Sequence, residues 1–102
     1  METTITFKQI DHSEALKQYV MEQSEERIAK YAMKAMELHV TLSKEKHLHT
    51  AEADFRAKDF HAHCHGENVD IYAAINDAFD KIEKLIHKRT TKFKKARTSV
   101  SL

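Results

Sequence analysis

The sequence predicts an α+β fold with element order β-α-β-β-β-α, a four-stranded sheet with two helices on one face. Three observations predict it. Residues 36–43 and 49–57 alternate apolar and polar side chains, the pattern of half-buried strands. Ile71, Ile75, Ala78, Ile82, Leu85 and Ile86 recur at helical spacing, so the C-terminal part is an amphipathic helix. And 102 residues leave room for one core only. A single domain over 1–102 is expected, with its core at about 4–95 and residues 96–102 as a flexible tail.

The first strand is Thr4-Ile5-Thr6-Phe7-Lys8, with Ile5 and Phe7 on one side. Ser13 is a suitable N-cap, and Glu14 in the first turn complements the helix dipole. The first helix is expected to run to about Tyr31 or Met33, burying Leu16, Val20, Ile28, Tyr31 and Ala32, with Tyr19 at the margin. Its middle, Glu22-Gln23-Ser24-Glu25-Glu26, is polar throughout and leaves that face thin.

Met36 to Ser43 is the clearest strand, and residues 44–48 form the following turn. His49 to Ala57 places Ala51, Ala53, Phe55 and Ala57 inward and Glu52, Asp54 and Arg56 outward. Lys58-Asp59 turns the chain into a fourth strand, Phe60 to His65, with Phe60, Ala62 and Cys64 inward. Gly66 and Asn68 are expected to end that strand, and the last helix to begin near Val69 and fray before Ser99.

Composition narrows the functional classes. No apolar run approaches the roughly 18 residues of a membrane span, and Met1-Glu2-Thr3-Thr4 lacks the basic and apolar regions of a signal peptide. Cys64 is the one cysteine, so no internal disulfide is possible and the cytoplasm is the expected compartment. The net charge of +1 conceals a dipolar chain. Residues 80–102 hold eight Lys/Arg against two acids, while the other 79 residues hold nine against fourteen. A basic end of this kind fits phosphate or an acidic surface.

Both helices must cover the apolar side of the sheet, and a right-handed crossover makes strand one parallel to strand two. Two helices side by side leave a shallow groove. Lys81, Lys84, Lys88 and Lys92 step by three or four along the second helix and are expected as a cationic ridge on one wall. Double-stranded RNA is recognised mostly through its shape and backbone, as in the double-stranded-RNA-binding fold, which this layout resembles.

Asp70-Ile71-Tyr72-Ala73-Ala74-Ile75-Asn76, followed by Asp80-Lys81-Ile82-Glu83-Lys84-Leu85-Ile86 and Lys88, resembles the hibernation promoting factor family, which includes the ribosome-associated translation inhibitors. Ser13-Glu14-Ala15-Leu16-Lys17-Gln18-Tyr19-Val20 supports the resemblance, which covers about residues 4–95. The chain ends soon after the second helix, as in the short form of the family. The resemblance implies binding to the small ribosomal subunit in the messenger and transfer RNA channel. It also implies inhibition of translation by occlusion, and for short forms a role in pairing idle ribosomes. Carried over, the RNA contacts are Lys81, Lys84, Lys88, Arg89 and Lys92, extended by Lys94, Lys95 and Arg97, with Lys17, Arg27 and Lys30 as further candidates on helix one. Tyr72 also matches a family position. Helix one departs from the pattern: Glu22, Glu25 and Glu26 stand where relatives carry bases, no Gly precedes it, and Ser24 lies near an expected leucine. These departures imply either weaker RNA binding or a helix one that faces a basic ribosomal protein.

Eight histidines are many for this length, and His61, His63 and His65 project to one side of their strand, where His39 can join them. These four are the weak metal candidates of a chain expected to need no cofactor, since the ligand spacing of a structural site is missing. They also define the alternative function, a protein-interaction or metal-buffering module using the His-rich sheet face. Cys64 points to the apolar side and a Gly-rich phosphate loop is absent, so the chain is not expected to be an enzyme or to take a small-molecule substrate.

Overall fold

The computed structural model describes the backbone of residues 1–101 and the side chains of residues 1–89. It contains the elements β1 (Glu2–Lys8), α1 (Glu14–Gln23), β2 (Glu37–Glu45), β3 (Leu48–Ala57), β4 (Phe60–Asn68) and α2 (Ile71–Ser101). The sheet order is β1-β2-β3-β4, with β1 parallel to β2 and the other pairs antiparallel. This is the predicted α+β order. Alternation in the strands sends Leu38, Val40, Leu42, Ala51, Ala53, Phe55 and Ala62 into the core. There they meet Leu16, Val20 and Ile28 from the first helical segment and Ile75, Phe79, Ile82 and Ile86 from α2.

The first helical segment changes type midway. After α1 comes a π turn, Ser24–Ile28, in which the Ala29 N–H bonds back to the Ser24 carbonyl, and then a 3₁₀ turn, Ala29–Tyr31. Sequence spacing supplies the reason. Leu16, Val20, Ser24 and Ile28 are each four apart, and in an α-helix such a series drifts about 40° per step off its face. A turn with i→i+5 bonds absorbs the surplus residue, and Ile28 stays fully buried. Ser24 fills the thin middle of the face: it is buried, and its hydroxyl donates to the Val20 carbonyl at 2.8 Å. Ala32, expected inside, ends the segment exposed and left-handed at φ 49°.

Several expected boundaries move. β4 continues through Gly66, and the glycine is there for packing rather than for a turn: a Cβ would lie 2.3 Å from the Ala74 carbonyl oxygen of α2. The second helix starts at Ile71, where the Asp70 carboxylate accepts from the Tyr72 N–H at 3.0 Å. Leu85, expected in the core stripe, is 42% exposed, because the sheet is too narrow to cover that margin of α2. With its only glycine at Gly66, the chain turns at positive φ on Gln9, Ala32, Ala35 and Lys46.

Candidate nucleic-acid interface

Helix α2 lies over β3 and β4, and α1 beside β1. This placement decides which side of α2 each residue occupies. Toward helix one point Tyr72, Asn76, Asp80 and Glu83. Tyr19 stands edge-on to Tyr72 at 4.9 Å between centroids and donates its hydroxyl to the Asn76 side-chain oxygen at 2.6 Å. Arg27 reaches across to both Asp80 and Glu83, and Lys30 lies 3.6 Å from Glu83. Partial desolvation lowers the Arg27 pKa, but the hydrogen bonds to the two carboxylates outweigh it and raise the pKa overall.

The inter-helix groove is thus closed by acids and aromatics, and the cationic ridge does not line it. That corrects the expected geometry. Lys81 instead donates to the His65 carbonyl of β4 at 2.6 Å and pairs with Asp77 at 3.3 Å. Arg89 donates to the Asp59 carbonyl at 2.8 Å and lies over the Phe60 ring at 5.2 Å. Lys84 and Lys88 share this outer flank, exposed and without an ion pair among the described residues. The side chains of Lys92, Lys94, Lys95 and Arg97 lie outside the described residues.

Of the helix-one candidates, Arg27 and Lys30 are engaged with α2, and only Lys17 stands exposed without an ion pair among the described residues. Around it Glu14, Glu22, Glu25 and Glu26 are exposed, giving this helix an acidic outer side.

The wet face of the sheet is built from cross-strand rows. One row is Thr4, His39, Asp54 and His63, and its neighbours contribute Arg56 beside His61 and Glu52 beside His65. Asp54 accepts from His61 at 2.7 Å and lies 3.4 Å from His63, while His39 bonds Thr4 at 2.5 Å and Thr6 at 3.1 Å. Hydrogen bonding from His61, with help from His63 and Arg56, holds the Asp54 carboxyl below its ordinary pKa despite desolvation. Alternation puts Glu2, Glu37, Glu45, Glu52, Asp54 and Glu67 on this face against Lys8 and Arg56, an acidic excess that repels a phosphate backbone. Among the described residues, no three His, Cys, Asp or Glu groups converge as a metal ion would require. Cys64 is half-buried on the opposite face, and burial pushes its thiol pKa up.

Sequence reasoning placed Lys84 and Lys88 on an exposed side of α2 but missed the Arg27 clamp. Its one local signal is Asp80 and Glu83, three apart and facing the same way.

The family described as sigma 54 modulation protein / S30EA ribosomal protein matches residues 3–94. A protein of Escherichia coli strain K12 named ribosome hibernation promoting factor is 29% identical over 94 residues, spanning 92% of this chain and 98% of its own. One of the same name from Salmonella typhimurium is 27% identical over the same shares. Among solved structures, the N-terminal domain of Thermus thermophilus Protein Y superposes with a TM-score of 0.79 at 22% identity, over 86% of this chain and 98% of that one. A ribosomal subunit interface protein from Coxiella burnetii gives 0.74 at 16% identity, over 89% and 99%. At these identities the two structures establish the fold. No described helix is long and apolar enough to cross a membrane.

Proposed function

Because this chain belongs to the sigma 54 modulation protein / S30EA ribosomal protein family, we propose that it is a ribosome hibernation factor. It binds the small ribosomal subunit in the messenger and transfer RNA channel and stops translation by occlusion, with no chemical step and no cofactor. The single observation that carries the reading is the outer flank of α2. Lys84 and Lys88 are exposed there, unpaired among the described residues, with Lys81 and Arg89 at either end of the same flank. Lys92, Lys94, Lys95 and Arg97 extend the ridge in sequence.

Positive charge along one helix flank meets ribosomal RNA through its phosphates, which dominate affinity without reading sequence. The acidic outer side of helix one faces a basic ribosomal protein rather than RNA. Such a protein works in the cytoplasm, and docking of this kind also allows idle ribosomes to pair.

Adding the purified protein to ribosomes at varied salt, and following sedimentation and translation together, tests the reading. If about five phosphates are neutralised, the logarithm of affinity falls with the logarithm of salt at a slope of about −3.5 to −4.5. Translation falls in step with occupancy. Ribosomes that ignore the protein in dilute buffer would overturn the proposal.

A further inference from the structure

We infer that the RNA track of this chain is the seam between the outer flank of α2 and the free edge of β4, where the backbone amides of His61 and His63 bind phosphate beside Lys84 and Lys88. The inference rests on the RNA-binding reading above and assigns it a place.

The register of the sheet determines which amides are free. Ala57 and Phe60 face each other across the two-residue turn Lys58-Asp59, and such a turn closes on a hydrogen-bonded pair. Pairing then alternates, so Phe60, Ala62, Cys64 and Gly66 bond inward to β3. His61, His63, His65 and Glu67 turn both backbone groups outward, because β4 is an edge strand. The Lys81 ammonium on the His65 carbonyl agrees with this parity.

Two staples hold α2 along that edge, Lys81 on the His65 carbonyl and Arg89 on the Asp59 carbonyl. The outward N–H groups of His61 and His63 lie between them along the strand, with Lys84 and Lys88 between them along the helix. Sheet edges bind anions through such amides, and backbone N–H groups are common phosphate donors to nucleic acid. The two rows also have similar repeats. Residues four apart on a helix are about 6 Å apart along its axis, and residues two apart on a strand are about 6.6 Å apart. One phosphodiester chain can follow both.

The other surfaces are less suitable. The groove between the helices has its cations neutralised by Asp80 and Glu83, the wet face carries an acidic excess, and helix one is acidic outside.

Hydrogen exchange read by mass spectrometry on ribosome-bound and free protein tests the seam. Peptides covering residues 59–68 gain protection on binding, and those covering 14–31 change less. A variant pair provides a second measurement. His63→Pro removes an outward N–H that no strand uses, which an edge tolerates, whereas His63→Thr keeps it. The proline variant binds ribosomes several-fold more weakly than the threonine variant at an unchanged salt slope, because a neutral amide releases no counterion. Equal binding by the two variants overturns the inference. So does protection confined to 14–31, or protection of β4 that grows with protein concentration without ribosomes, the sign of pairing between two copies. These outcomes leave ribosome binding itself intact; loss of all binding by the native chain overturns both readings.

Discussion

The Arg27 guanidinium is bonded to the Glu83 carboxylate across the two helices, and both side chains are largely withdrawn from water. Together with Asp80 it makes a three-charge clamp between the helices, further along α2 than the Tyr19–Asn76 hydrogen bond.

Arg27→Ala removes the cation and leaves Glu83 short of a partner. Charge-assisted hydrogen bonds of this kind contribute about 1.5–3 kcal/mol, so urea unfolding should report a loss of about 1–2 kcal/mol after the exposed Asp80 is discounted. Arg27→Lys should recover part of it. Ribosome affinity at fixed salt should change far less than with substitutions on the outer flank of α2.

Replacing Lys84, Lys88 and Lys92 together by Glu should abolish co-sedimentation with ribosomes. Far-ultraviolet circular dichroism should be unchanged, because Lys84 and Lys88 are exposed on α2. Full retention of binding would rule out the ridge as the anchor.

Gly66→Ala drives a methyl group to within 2.3 Å of the Ala74 backbone oxygen, which cannot swing away as a side-chain tip could. The cost should be at the upper end of overpacking, about 3 kcal/mol, and should lower Tm by roughly 10–20 °C. A change below roughly 3 °C would show that α2 can lift off β4 cheaply.

Asp54 is held below its ordinary pKa, so its contribution to stability is present at pH above about 4, the unfolded-state value. It is lost as pH falls through the folded-state pKa. Asp54→Asn should therefore flatten the acid limb of a stability-versus-pH curve below about pH 4. Chemical unfolding from pH 2 to 7 on both proteins is the measurement.

The strands were legible because their signal is local. Leu38, Val40 and Leu42 alternate with polar neighbours, and that alternation holds whatever packs above them. The parallel pairing of β1 with β2 followed from chirality. What was not legible depends on partners distant in sequence. Ser24 and Ile28 show a four-residue spacing that reads as a thin helix face until the π turn brings both inside. Gly66 invites a turn reading because glycine usually serves one, whereas its role here is set by Ala74 and Asp77 on α2. The lysines of α2 were found, but the wall they occupy depends on where α1 lies, and the sequence of α2 carries no sign of that.

The mixed connectivity of the sheet also orders the steps by which the chain acquires its structure. β2, β3 and β4 are joined by two-residue turns, while Glu2 finds its partner only at Glu37, across the whole first helical segment. Closing the longer loop costs more entropy before any contact rewards it. The first strand to leave the site of synthesis is then the last to dock. In stopped-flow experiments Ile5→Ala should accelerate unfolding with little effect on refolding, whereas Phe55→Leu in the central meander should slow refolding.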